Sequence, residues 1–197
     1  MPPSPSTRVR ITGGHWRGRV LPVLSHPGLR PTLAQHRERL FNWLQFDCAG
    51  AGVLDAYAGT GILGLEALSR GADFAIFLER DPAVARVLAQ QVTALGANAQ
   101  VVTTDAITWI GQSTQAFDLI LLDPPFAPKA LQHSLDAVLQ SNCVHPGTLI
   151  YTEQSLPAQT LDAPGCVLWK QRKKGRIEQA LWRVKHRGHE ANSNGCD

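Results

Sequence analysis

The chain has 197 residues, 44% hydrophobic and 18% charged, which suits one globular domain with short appendages and excludes global disorder. Its 17 glycines and 13 prolines follow no period, which excludes collagen-like and solenoid repeats, and no apolar run approaches the ~18 residues of a membrane span. The net charge of +3 hides a split: residues 1–47 carry seven arginines against two acids, residues 48–165 four bases against eleven acids, and residues 166–197 eight bases against three acids. An acidic middle with basic ends fits a binding domain whose termini grip a polyanion, or two solvated basic faces.

In chain order, residues 1–7 read as a disordered tail and residues 8–47 as a basic N-terminal extension. Within it, Arg10 to Val23 is rich in glycine and arginine around Trp16, as in a small hairpin or an irregular arm. Pro31-Thr32-x-x-Gln35 resembles a capping box that opens a helix with Leu33, Leu40, Phe41 and Leu44 turned inward. Residues 48–186 form the main domain. Strands are expected at Val53 to Tyr57, Phe74 to Glu79, Gln100 to Thr104, Phe117 to Asp123 and Thr148 to Thr152, nearly continuous in hydrophobicity and so covered on both faces. Between them fall a helix from Ile62 to Arg70 closed by Gly71, and one opened by Asp81-Pro82 and closed by Gly96. A third follows Asp105 and a fourth runs from Lys129 to Gln140. Cys166 to Lys173 and Arg176 to Lys185 read as a terminal antiparallel hairpin, and residues 187–197 as a second disordered tail. The fold class is α/β: a Rossmann-like, mostly parallel seven-stranded sheet of order 3-2-1-4-5-7-6 with helices on both faces.

The start Met1-Pro2-Pro3-Ser4-Pro5-Ser6-Thr7 lacks the basic and apolar stretches of a secretory leader, so a cytoplasmic location is expected. Cys48, Cys143, Cys166 and Cys196 form no C-x-x-C pair and the seven histidines are dispersed, so reduced thiols and no metal are expected.

The strongest local signal is Leu54-Asp55-Ala56-Tyr57-Ala58-Gly59-Thr60-Gly61-Ile62-Leu63-Gly64, a G-x-G-x-x-G turn between the first strand of the main domain and its helix. Twenty residues beyond Gly59, Glu79 ends the second strand, where a carboxylate can accept from both hydroxyls of a ribose. The turn alone suits a dinucleotide or S-adenosylmethionine equally. Asp55 favours the second, because a carboxylate there repels a pyrophosphate and attracts a sulfonium and an amino group. Asp105, ending the third strand, is placed to accept from an adenine amine or to cap the next helix. Thr60, Arg80 and Ala106 join Asp55, Gly59, Gly61, Glu79 and Asp105 as candidate cofactor contacts.

The second motif, Asp123-Pro124-Pro125-Phe126, closes the fourth strand, next to the first in the expected order and so facing the glycine turn. An amino nitrogen on a flat ring is a poor nucleophile because its lone pair is delocalised. Acceptors that hold its N–H groups help it become tetrahedral, and Asp123 and the Pro124 carbonyl are such acceptors. Phe126 offers a face for an extruded base, a stacking contact worth about 1–3 kcal/mol.

Asp-Pro-Pro-Phe with the glycine turn resembles the amino-group methyltransferases of the S-adenosylmethionine-dependent Rossmann-like class. Gly13-Gly14-His15-Trp16-Arg17-Gly18-Arg19, Leu29-Arg30-Pro31-Thr32, Arg37-Glu38-Arg39-Leu40-Phe41-Asn42-Trp43-Leu44 and Leu65-Glu66-Ala67-Leu68-Ser69-Arg70-Gly71 narrow the resemblance to the bacterial small-subunit rRNA guanine-N2 methyltransferases, over about residues 8–185. It departs at Leu33-Ala34-Gln35-His36, where that family suggests a more polar helix start. The resemblance implies a monomeric enzyme that moves a methyl from S-adenosylmethionine to the exocyclic N2 of one guanine in 16S rRNA, within an assembling small-subunit particle. It makes Asp123, Pro124, Pro125 and Phe126 the catalytic corner and Trp16, Arg17, Arg19, Arg30 and Lys129 the RNA contacts, with no metal needed because a sulfonium is already an activated donor. An adenine-N6 methyltransferase on DNA or RNA is the alternative within the class. An NAD-dependent oxidoreductase, which leaves Asp55 and Asp-Pro-Pro-Phe unexplained, and a non-catalytic RNA-binding assembly factor are the alternatives outside it.

Overall fold

The computed structural model describes residues 7–23, 34–125 and 129–186. Both expected tails apart from Thr7, Arg30 with the Pro31-Thr32 turn, and Phe126 lie outside the described residues.

Nine strands and five helices follow one another among the described residues. β1 (Thr7–Arg10) and β2 (Val20–Val23) form an antiparallel pair, so the arm is a hairpin, and α1 (Ala34–Trp43) follows. The main sheet then alternates with its helices: β3 (Gly52–Asp55), α2 (Ile62–Ser69), β4 (Phe74–Glu79), α3 (Pro82–Leu95), β5 (Ala99–Thr103), α4 (Ala106–Gln112), β6 (Leu119–Leu122), α5 (Ala130–Gln140), β7 (Leu149–Ser155), β8 (Cys166–Lys174) and β9 (Ile177–Val184). The order β5-β4-β3-β6-β7-β9-β8, parallel except where β9 runs against β7 and β8, is the expected 3-2-1-4-5-7-6 once the two arm strands are set aside.

Several boundaries shift from the sequence reading, among them β3, which stops at Asp55 rather than Tyr57, and β6, which starts at Leu119 rather than Phe117; two of the shifts have a plain cause. β6 stops at Leu122 because the Pro124-Pro125 pair has no N–H to continue a ladder. β7 runs on to Ser155 because β9 supplies antiparallel partners for Glu153, Gln154 and Ser155.

Strand alternation divides the core into two layers. Val53, Phe77, Leu121, Tyr151 and Leu181 face α1, α2 and α3, whereas Leu54, Ile76, Leu122 and Ile150 face α4 and α5. The extension shares the first layer: Val9, Ile11, Leu21, Leu40, Phe41 and Leu44 are buried in one cluster with α2 and β3. Burying each large apolar side chain among them contributes about 1.5–3 kcal/mol. α3 begins as expected, with Asp81 accepting from Ala83 N (2.7 Å) and Val84 N (3.2 Å) and Pro82 in the first turn, and ends at Gly96 with φ 61°.

A polar latch fastens the arm to α2. Glu66, fully buried, accepts from Thr12 N (2.9 Å), Thr12 Oγ1 (2.6 Å), Arg37 (3.3 Å) and Arg70 (3.0 Å), while Arg37 also donates to the Arg10 carbonyl (3.0 Å). Ser69 at the end of α2 closes the contact: its carbonyl accepts from His15 N (2.6 Å), and its hydroxyl accepts from Trp16 N (2.8 Å) and donates to the Gly13 carbonyl (2.6 Å). Gly14 has φ +75°, and a Cβ there would lie 1.8 Å from the Ser69 carbonyl oxygen, so only glycine permits this approach.

Candidate active site

The carboxyl ends of β3, β4, β5 and β6 meet at one end of the sheet, and the crevice lies where the order reverses between β3 and β6. Asp55 pairs with Leu121, so the turn that leaves β3 and the Asp123-Pro124-Pro125 corner that leaves β6 start from adjacent strands.

Asp55 is buried and its Oδ2 accepts from Gly64 N at 3.1 Å, which ties the end of β3 to the first turn of α2. Burial pushes its carboxyl up to about 7; the Gly64 and Tyr57 backbone N–H groups oppose that rise and the charge of Glu79 adds to it. Gly61 precedes α2 in the left-handed region with no side-chain cap, leaving first-turn N–H groups at the crevice for an acceptor on a ligand. A Cβ on Gly64 would lie 2.3 Å from the Phe77 ring, so the glycine lets α2 press onto β4.

Glu79, half-buried at the end of β4, is oriented by two backbone groups: Oε2 accepts from Gly59 N at 2.9 Å and Oε1 from Asp81 N at 2.8 Å. Each oxygen keeps a second lone pair for a diol. Asp105 is exposed and caps α4, its Oδ1 accepting from Thr108 N (3.0 Å) and Thr108 Oγ1 (3.2 Å), so the capping reading holds and the crevice position is kept as well. Thr60 and Ala106 are buried beside these groups in sequence, and Arg80 is exposed. The donor and acceptor set fits a nucleoside with a cationic substituent: an acceptor pair at Glu79, a second carboxylate at Asp105 and a buried carboxylate behind the glycine turn.

At the other wall Asp123 is half-buried, Pro124 buried and Pro125 exposed. The Tyr57 hydroxyl shares a 2.6 Å hydrogen bond with Ser134 of α5, and burial is the main cause that raises the Tyr57 hydroxyl above its usual range. Lys129, exposed, immediately precedes α5 with φ 63°, the one non-glycine residue with positive φ among the described residues.

Sequence reasoning missed a buried network behind this corner. The Tyr151 hydroxyl donates to Glu153 Oε2 at 2.5 Å and accepts from Gln179 Nε2 at 2.6 Å. Gln179 Nε2 also lies 3.1 Å from the His36 carbonyl, and its Oε1 accepts from Arg39 at 2.6 Å. The network joins α1 to β7 and β9, and Asp123 and Glu153 both hold the Tyr151 hydroxyl well above its usual range after burial. The available signal was alternation, which puts Tyr151 and Glu153 on the same inward face of one strand.

The structure does not bring the arm residues to the crevice. Trp16 N is bound at Ser69, the last residue of α2, whereas the glycine turn is at its start, and eight residues span about 12 Å. Arg17 and Arg19 are exposed and Trp16 is half-buried against the first core layer. Among the described residues no group of His, Cys, Asp and Glu could hold a metal, and no helix is long and apolar enough to cross a membrane.

The family model described as conserved hypothetical protein 95 matches residues 9–183. The Ribosomal RNA small subunit methyltransferase D of Escherichia coli K12 is 42% identical over 154 residues, 78% of each chain, and that of Haemophilus influenzae is 35% identical over 185 residues, 91% of this chain and 96% of the relative. The solved structure of the Escherichia coli "Putative methyltransferase yhhF" superimposes with a TM-score of 0.85 at 34% identity, covering 91% of this chain and 99% of that one. With its crevice, its Asp-Pro-Pro corner and this likeness along most of its length, the chain belongs to the ribosomal RNA small subunit methyltransferase D family.

Proposed function

We propose that the protein transfers a methyl group from S-adenosylmethionine to the exocyclic N2 of a guanine in 16S rRNA, on an assembling small-subunit particle in the cytoplasm. The observation that carries this reading is the adjacency of β3 and β6, which sets a cofactor-type glycine turn beside an acceptor corner suited to a ring amino group. The names of the relatives support rRNA as the substrate.

S-adenosylmethionine, when bound, supplies a methyl on a sulfonium that departs as a neutral thioether. Glu79 holds the ribose hydroxyls, Asp105 and the Ala106 backbone the adenine edge, and the turn through Gly59, Thr60 and Gly61 lets the backbone approach closely. Asp55, once ionised, offsets the positive charge through the floor of the turn. Asp123 and the Pro124 carbonyl accept the two N–H groups of the target nitrogen and keep its lone pair directed at the methyl carbon. As the new N–C bond forms and the C–S bond breaks, the nitrogen becomes cationic and one proton leaves toward Asp123. Phe126 is the proposed stacking face, and Trp16, Arg17, Arg19, Arg30 and Lys129 are proposed RNA contacts outside the reacting centre.

The test is methylation of small-subunit particles from a strain lacking its own enzyme, with labelled methyl donor, followed by digestion and identification of the nucleoside. N2-methylguanosine is expected. N6-methyladenosine moves the target to the alternative base, and an unlabelled rRNA refutes the assignment.

A further inference from the structure

The arm docks at the far end of α2, whereas the β8–β9 turn rises at the end of the sheet where the crevice lies. Leu122 at the end of β6 pairs with Thr152, but β7 continues to Ser155, opposite Ile177, which pairs on its other side with Lys174. The turn therefore rises three residues, about 10 Å, beyond the end of β6, and lies two to three strand spacings, about 10–14 Å, to its side. The Arg176 carbonyl accepts from Leu156 N at 2.8 Å, which anchors the turn to the strand that borders the crevice.

Three of the six basic side chains of the hairpin already have partners. Lys173 pairs with Glu178 at 2.9 Å, Lys170 donates to the Trp43 carbonyl at 3.3 Å, and Lys170 and Arg183 lie over the Trp169 ring. Arg172, Lys174 and Arg176 are exposed, and among the described residues no carboxylate pairs with them; Lys174 reaches only the Gln35 side chain of α1, at 3.1 Å.

Cations on an edge strand also discourage edge-to-edge pairing. That role does not account for their distribution. The first four residues of β8, Cys166 to Trp169, are uncharged and leave Val167 and Leu168 exposed, while four cations fall among the last five, at the crevice end.

We infer that Arg172, Lys174 and Arg176 form a phosphate-binding rim that holds the substrate RNA backbone beside the target nucleotide. The crevice itself carries Glu79, Asp105 and Asp123, which repel phosphates, so the backbone stays at the rim while an uncharged base descends. This assignment rests on the proposed RNA substrate.

The test compares the full-length wild type with the triple variant Arg172→Ala, Lys174→Ala, Arg176→Ala, using small-subunit particles from a strain lacking its own enzyme. Affinity for the particles is measured across a salt series, alongside S-adenosylhomocysteine binding and thermal midpoint. The variant is expected to lose about tenfold or more in particle affinity, and its log-affinity against log-salt slope to become shallower by about 2–3, as three lost phosphate contacts require. Cofactor-product affinity and thermal midpoint are expected to match the wild type. An unchanged affinity and slope overturn the rim assignment alone. A wild type that binds no particle overturns the substrate reading and the rim together.

Discussion

Gly14 and Gly18 stand four residues apart in the arm, both with positive φ (75° and 87°), yet alanine at the two positions meets different surroundings. At Gly18 a Cβ has nothing within 4 Å, so Gly18→Ala carries only the left-handed penalty of about 1–2 kcal/mol. At Gly14 the Cβ lies 1.8 Å from the Ser69 carbonyl oxygen and 2.7 Å from the Arg70 backbone nitrogen, groups fixed in the last turn of α2. Gly14→Ala adds overpacking of about 1–3 kcal/mol and loss of the His15 N–H bond to Ser69, about 0.5–1.5 kcal/mol. At about 2–4 °C per kcal/mol for a domain of this size, Gly18→Ala lowers the thermal midpoint by about 2–8 °C and Gly14→Ala by about 5–26 °C. If the arm lets go before the domain unfolds, the midpoint falls less and trypsin gains access to Arg17 and Arg19, so scanning calorimetry is paired with limited proteolysis. Equal midpoints and equal cleavage rates for the two variants would refute the docking argument.

Three further outcomes are expected. Asp123→Ala lowers the rate of methyl transfer by about 100-fold or more with S-adenosylhomocysteine affinity nearly intact, measured by labelled transfer and calorimetric titration; undiminished turnover removes Asp123 from the chemistry. Burial holds the Asp55 carboxyl near 7 in the folded protein against 3.8 in the unfolded chain, so its contribution to stability is complete below pH 4 and is lost as pH rises toward 7. The stability difference between wild type and Asp55→Asn, followed by denaturant titration from pH 4 to 8, is expected to move in the destabilising direction for wild type over that window; a flat difference contradicts the buried carboxyl. Tyr151→Phe strips one partner from each of Glu153 and Gln179 in a buried network and is expected to cost about 1–3 kcal/mol, checked by urea unfolding against Tyr57→Phe, whose hydroxyl is only half-buried.

The parallel sheet was legible because its signals are local: continuous apolar strands, Asp81-Pro82 at a helix start, Gly96 at a helix end, and a glycine turn with Glu79 twenty residues on. The candidate site is read from topology, since the switch point sets Asp55 and the Asp123 corner at the ends of adjacent strands whatever the loop details. What escaped was long-range polar pairing. Glu66 interrupts a mostly apolar helix, with Arg70 as its local partner one turn on, but nothing local says that Thr12 and Arg37 converge on it from two other segments. Glu153 and Gln179 were hidden in the same way, as polar residues inside strands whose partners come from α1.

Charge counted along the sequence assigns all seven arginines of the extension to one basic end, and the structure divides them. Arg37 is buried against Glu66 and Arg39 donates to Gln179, so two of the seven are consumed in holding α1 to the domain. α1 is thereby fixed along its length: His36 and Gln35 meet β9 and the β8–β9 turn near the crevice, while Trp43 receives Lys170 lower on β8. An element pinned at both ends to the sheet moves with the sheet, and the Arg39–Gln179–Tyr151 chain runs from it to the strand next to Asp123. The wall beside the Asp-Pro-Pro corner is therefore set by buried hydrogen bonds in the domain core, to which the exposed Lys174–Gln35 contact adds a peripheral tie.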